Sequence, residues 1–303
     1  MNHVEARRSQ AAPRIARVEA SPPDLEHGRL LRRKAFNHFM TGLLASLSVM
    51  SVAVLLIIVL NILENGAGVI SLEFFTQPHS FSAEGGIAHA IAGTFAMMLV
   101  TALVAVPLGI LVAVYLAEFG QGWFADAVRF IVDLLLQMPS IVVGIFIWAT
   151  LVQCIGFSGL AGSIALMVIM TPIVVRAVEE VLRLVPDLLR EAGWALGVPR
   201  WRVVLGVVIP TVRSGIVTGV ILATARAAGE TAPILLTALG SNFFNQDLTR
   251  PTAAVPLLIY NYASQPSPAL IEKAWGAALV LIIVVAFFNA AVRTFAGSVK
   301  RDR

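Results

Sequence analysis

The chain has 303 residues, 58% of them hydrophobic and only 13% charged, with a mean hydropathy of +0.84. A water-soluble domain carries about 25% charged residues, so roughly half the charge that would coat a hydrated surface is missing, which excludes a cytosolic enzyme, a nucleic-acid binder or a disordered protein. The net charge of +4 is concentrated in a few segments, and the single cysteine, Cys154, cannot form an internal disulfide. The composition is that of an integral membrane protein.

Residues 1–38 carry Arg7, Arg8, Arg14, Arg17, Arg29, Arg32, Arg33 and Lys34, broken by Pro13, Pro22 and Pro23, and read as a mobile basic cytoplasmic tail. Apolar runs of about twenty residues span a bilayer, and six follow. The first, 40–63, has no charge until Glu64; it starts too late and is too long for a cleaved signal peptide, so residues 39–64 are expected to stay as a peripheral first helix. Residues 65–86 form an external segment. A five-helix core follows over 87–296, and 297–303 is a cytoplasmic tail. The core spans are 87–116 with Pro107, 130–154 with Asp133 and Pro139, 159–182 with Pro172 and Arg176, 216–239 with Arg226, Glu230 and Pro233, and 274–292 without interruption. Of the 22 Lys and Arg residues, only Arg250 and Lys273 fall on the outside of this arrangement, and only Arg226 lies deep in a span. Basic residues stay on the cytoplasmic side, so both termini are inside.

The cytoplasmic loop at 186–213 carries the strongest pattern. Pro186 and Asp187 suit a helix start, and Leu188, Leu189, Ala192, Ala195 and Leu196 share one stripe. Gly197 ends this helix. Pro199 starts a second, with Trp201, Val204, Leu205 and Val208 on its stripe, and Pro210 turns the chain back to the membrane. The pair reads as a compact cytoplasmic knob.

Span five contains two charges. One charge near the bilayer centre costs roughly 2.5–3.5 kcal/mol, so Arg226 and Glu230, four apart on one helix face, would gain by pairing. One reading is a structural ion pair. The other places Arg226 on a path, where its planar fork suits an oxyanion such as phosphate. Arg176 is a second candidate, although Glu179 and Glu180 beside it also fit an interfacial position. Pro139, Pro172, Gly229 and Pro233 are candidate helix breaks or gates, because proline removes a helical hydrogen bond and such breaks are tolerated where they face protein or water.

Gly156-Phe157-Ser158-Gly159 is similar to an intramembrane serine-protease motif, but no histidine lies within a later span, and close helix packing is the better reading. No His or Cys cluster has metal-ligand spacing. There is no Gly-Lys pair, hence no phosphate-cradling loop for ATP.

The run Glu191-Ala192-Gly193, three residues, Gly197, nine residues, then Val207-Val208-Ile209-Pro210 resembles the EAA loop of binding-protein-dependent ABC importer permeases, with Gly193 in place of the second alanine. The stretch from Arg226 through Gly229-Glu230-Thr231-Ala232-Pro233 to Ala238 is similar to the signature of PstA-type phosphate permeases. Gly109 to Phe119, Met138 to Gly144, Thr171 to Arg176 and Val255 to Tyr260 also match, so the resemblance covers all but the tails. It implies an all-α, six-helix membrane protein with a MetI-like permease core in the bacterial plasma membrane. It also implies a PstC-like second permease, two PstB-like ATPase copies docked on the EAA loops, an external PstS-like phosphate-binding protein, and ATP with Mg bound by the ATPase only. By the same resemblance Glu191, Ala192, Gly193, Leu196, Gly197 and Pro210 belong to the docking loop, and Arg226, Glu230 and Arg176 are tied to phosphate passage. The alternatives are a permease for molybdate or sulfate, and an ion-coupled secondary transporter.

Overall fold

The computed structural model describes residues 23–80, 85–245 and 247–299. Its chain forms two units, one ending at Val59 and one beginning at Leu60. Among the described residues there are five single helices long and apolar enough to cross a membrane, and one bent pair that makes a sixth crossing if it counts as one.

The first unit is helix α1, Pro23–Gly66, which extends to its end in the second. The tail expected to be mobile is therefore helical from Pro23. Proline pre-sets the first-turn backbone, and Asp24 and Glu26 sit where the helix dipole favours acids. Residues 1–22 lie outside the described residues.

In the second unit, Ser71 caps the short helix α2 (Leu72–Thr76) by accepting from the Phe74 amide at 3.2 Å. The chain then turns at Gly86, where a Cβ would lie 2.2 Å from the Phe74 carbonyl oxygen, a space only glycine leaves. Helix α3, Ala88–Val114, runs through Pro107 and ends in a π turn, Tyr115–Phe119. Helix α4, Trp123–Gln137, and α5, Ser140–Ile147, meet at 102°. A π turn, Trp148–Val152, and the three-residue α6, Gln153–Ile155, complete this arm. The third span is thus broken at the expected Pro139 and starts earlier than expected: Met138, forced extended by the proline after it (ψ 131°), cannot continue the helix.

Helix α7, Gly159–Arg183, is the centre of the core and matches the expected fourth span. It continues unbroken through Pro172, which corrects that residue as a helix break; the surrounding buried helices supply the packing that keeps the turn in place. Small residues bring neighbours close: Gly109 of α3 faces Val174. The first N–H groups at its outer end, which no helix can satisfy, donate to the Thr237, Arg250 and Leu248 carbonyls at 2.9–3.0 Å. Ser158, set aside as a nucleophile, is buried and caps this helix by accepting from Ala161 N at 3.2 Å.

The cytoplasmic pair consists of α8, Asp187–Ala195, and α9, Arg200–Val203, separated by Gly197 at φ +74°. A π turn, Val204–Val208, carries α9 directly into α10, Ile209–Ala228, and together they make one membrane-length segment. The turn expected at Pro210 is a kink two residues later, at Val212, whose backbone is non-helical (φ -113°, ψ 15°). The wider turn before the proline removes the clash that its ring would make in a regular helix. The fifth span therefore begins earlier and stops at Gly229, ten residues before the expected end at Leu239. Of the second helix's apolar stripe, Val204 and Val208 are buried, whereas Trp201 and Leu205 are exposed.

After Gly229 the chain forms α11, Ala232–Thr237, an external loop, α12, Val255–Ala263, and α13, Pro268–Val299. Lys273, expected outside the last span, lies within α13, 2% exposed, with its Nζ donating to Ser80 O at 3.1 Å. Nearby, the Tyr262 hydroxyl is hydrogen-bonded to His79 Nδ1.

Gly93 of α3 is pressed against this outer layer, and a Cβ there would sit 2.1 Å from the Ala253 carbonyl oxygen. Gly93→Ala is therefore expected to cost about 1–3 kcal/mol through forced backbone displacement. Thermal unfolding of the detergent-solubilised protein checks this, and an unchanged midpoint would mean that the loop at 253 yields freely.

Candidate substrate path and docking surface

The depth of Arg226 follows from helix register. Gly215 and Gly219 of α10 face Val181 and Ala177 of the antiparallel α7. Carried forward, this register sets Arg226 level with Met170, midway along α7. A crevice that brings Ala227, Ala228 and Glu230 against Leu166 agrees with it. Arg226 lies in the last turn of α10, exposed, and among the described residues no hydrogen bond or ion pair engages its side chain. Glu230 is half-buried one turn on, past the helix end, and the two are not paired. The ion pair, one of the two readings of the sequence, is absent because Gly229 closes the helix first, so the two residues do not share a helix face.

Two broken elements meet near this cation. Helix α11 packs on α5, with Gly144 so close that a Cβ would come within 2.9 Å of Pro233 Cα. The breaks at Pro139 and Gly229 thus belong to adjacent segments, the arrangement in which membrane proteins place irregular backbone beside a path. Pro233 occupies the first turn of α11, where its missing N–H costs nothing.

Arg176 stands elsewhere, roughly 9 Å nearer the cytoplasm by helix rise, in a network of ions. Its guanidinium lies 3.5 Å from Glu179, 3.4 Å from Glu180 and 3.9 Å from Asp133. Glu179 is 1% exposed and also meets Arg129 at 3.2 Å and Arg183 at 2.6 Å. Arg129 in turn pairs with Asp126 at 3.2 Å and donates to the Leu116 carbonyl at 2.7 Å, closing the end of α3. The structure separates Arg176 from Arg226 and commits it to carboxylates.

On the cytoplasmic side, Glu191, Ala192, Leu196 and Gly197 are exposed, and so are Leu188, Trp194, Trp201 and Leu205. Arg200 stacks over Trp194 at 5.1 Å and Arg202 over Trp201 at 5.0 Å. Gly193 packs on Val203: a Cβ would come within 2.8 Å of its Cγ2, which explains glycine where the motif has alanine. The result is an apolar surface rimmed by cations.

Sequence reasoning missed Glu118 and Arg190. Arg190 is the one buried residue of α8 and reaches Glu118 in the π turn at 2.7 and 3.1 Å. The hydrogen bonds that Arg190 donates to the Glu118 carboxylate raise its pKa above the ordinary guanidinium value. A buried arginine inside an otherwise exposed amphipathic helix would have shown only as a cation on its polar side.

Residues 105–302 match the family described as binding-protein-dependent transport system inner membrane component. The phosphate transport system permease protein PstA of Yersinia pestis is 41% identical over 240 residues, 78% of this chain and 81% of that one. The PstA protein of Haemophilus influenzae is 38% identical over 270 residues, 88% of this chain and 96% of its own length. In fold, the chain is similar to a subunit of the inward-facing MetNI methionine ABC transporter (TM-score 0.57, 19% identity, 70% of this chain and 95% of that one). It is also similar to a chain of a bacterial alginate ABC transporter (TM-score 0.58, 15% identity, 88% and 98%). The all-α fold with its broken arms is therefore the ABC importer permease core, and this multi-pass membrane protein belongs to the binding-protein-dependent transport system inner membrane components, within them to the PstA-type permeases.

Proposed function

We propose that this chain is one of two permease halves that carry inorganic phosphate into the cytoplasm by alternating access. The observation that carries this reading is Arg226, a cation exposed level with the middle of α7 and, among the described residues, engaged by no side chain of its own chain. Facing lipid it would be costly; facing a second permease across a water-lined path it attracts an anion, and its fork suits phosphate oxygens. The relatives named for phosphate transport support the same substrate.

The other parts follow from this role. A PstC-like chain supplies the opposite wall, an external PstS-like protein delivers the anion, and two PstB-like ATPases seat on the exposed α8–α9 surfaces and hold ATP with Mg. Closing of the ATPases on ATP moves these surfaces and opens the bundle outward; hydrolysis resets it. Arg226 lowers the barrier for a desolvated anion, and Glu230 one turn away keeps it from binding too tightly.

Uptake of radiolabelled phosphate by the complete complex in vesicles tests the substrate. Excess unlabelled phosphate is expected to compete, whereas sulfate and molybdate leave uptake unchanged. Competition by either of these instead would reassign the oxyanion, and uptake that survives removal of the ATPase would reassign the energy source.

A further inference from the structure

We propose that the Arg190–Glu118 pair is the rigid joint through which docking helix α8 moves the membrane helices α3 and α7, with Arg190 as a positioning residue. The proposal rests on the importer reading, in which α8 receives motion from an ATPase. All five guanidinium N–H groups have acceptors. Nε and Nη2 grip Glu118 at 3.1 and 2.7 Å, on the π turn that ends α3. Nη2 also donates to Leu182 O at 3.0 Å, and Nη1 to Val185 O at 2.6 Å, at the end of α7 and in the turn after it. Nη1 completes the set on Asp187 of its own helix at 3.1 Å.

Burial gives this joint its stiffness. The Arg190 and Glu118 side chains are 11% and 5% exposed, so a separated pair would leave a charge without water. The bidentate grip also fixes orientation as well as distance. A tilt of α8 must therefore carry the end of α3 and the end of α7 with it. The other attachment of α8 is its Gly193 contact with Val203, which leads into α10. Helix α8 thus holds three of the core helices, and its Glu118 link joins it to the helix that precedes the broken α4–α5 arm. Arg129, bonded to Glu179 and to Leu116 O, ties that same end of α3 to α7, so the joint moves one body.

The test uses the complete complex in vesicles, with Arg190→Lys and Glu118→Gln, reading uptake, ATP hydrolysis and its stimulation by the loaded binding protein. In assembled variants basal hydrolysis is expected to persist while uptake per ATP and the stimulation fall about tenfold. Unchanged uptake per ATP would overturn the proposal and leave the pair a local fastening of the loop. Should either variant fail to assemble, Glu118→Cys with Arg190→Cys in a Cys154→Ser chain, bridged by a bifunctional thiol reagent, decides: a rigid joint keeps most uptake when bridged, and loss of uptake on bridging overturns it. A wild-type complex that moved no phosphate would count against the substrate reading alone, because stimulated hydrolysis reports the joint without measuring phosphate.

Discussion

Replacing Arg226 with glutamine is expected to lower phosphate uptake about a hundredfold or more while the complex assembles and still hydrolyses ATP. Hydrogen bonds to charged groups contribute about 1.5–3 kcal/mol each, and a bidentate contact supplies two. At 1.36 kcal/mol per factor of ten in rate, their loss in the rate-determining passage reaches at least that size. Arg226→Lys keeps the charge but not the fork and is expected to fall between. The glutamine variant should not unfold the chain, since the Arg226 side chain is exposed and has no hydrogen-bond or ion-pair partner among the described residues. The measurement is uptake and hydrolysis in the same vesicles. Near-normal uptake would assign Arg226 to holding a neighbouring chain, and would remove the main support for an anion path at this height.

Glu179→Ala is expected to destabilise the protein rather than slow transport selectively. Its carboxylate is buried and meets Arg129, Arg176 and Arg183 at 3.2, 3.5 and 2.6 Å. Removing one partner of a buried ion cluster costs about 3–5 kcal/mol because the remaining charges stay desolvated. For a domain of this size that corresponds to a fall of about 10 °C in the unfolding midpoint. Arg183→Ala is the control: its side chain is more than half exposed, and loss of a solvated pair costs about 0–1 kcal/mol. Equal midpoints for Glu179→Ala and wild type would show that the network is replaceable by water.

These two residues also mark where the sequence was readable and where it was not. Arg226 was legible because a cation inside an apolar run needs no neighbours to be unusual. Its separation from Glu230 was not, because the spacing assumes a helix that in fact ends at Gly229. Glu179 read as an ordinary interfacial acid beside Arg176; its burial depends on Arg129, fifty residues earlier. Arg190 was hidden likewise, because its partner Glu118 lies 72 positions away.

By itself, then, the sequence determined the membrane class, the all-α class, the apolar spans and the cation inside one of them. Each is a property of local composition or spacing within one segment. Only the tertiary structure decided that Pro139 breaks its span while Pro172 does not, that the chain passes Pro210 with a kink at Val212, and that Val204 and Val208 are buried. Proline removes one hydrogen bond at all three positions. Whether the helix survives depends on what surrounds the freed carbonyl and on whether a π turn can widen before the ring, and those neighbours come from distant parts of the chain. The same holds for charge: a residue's type fixes that it must be hydrated or partnered, and the fold alone decides which.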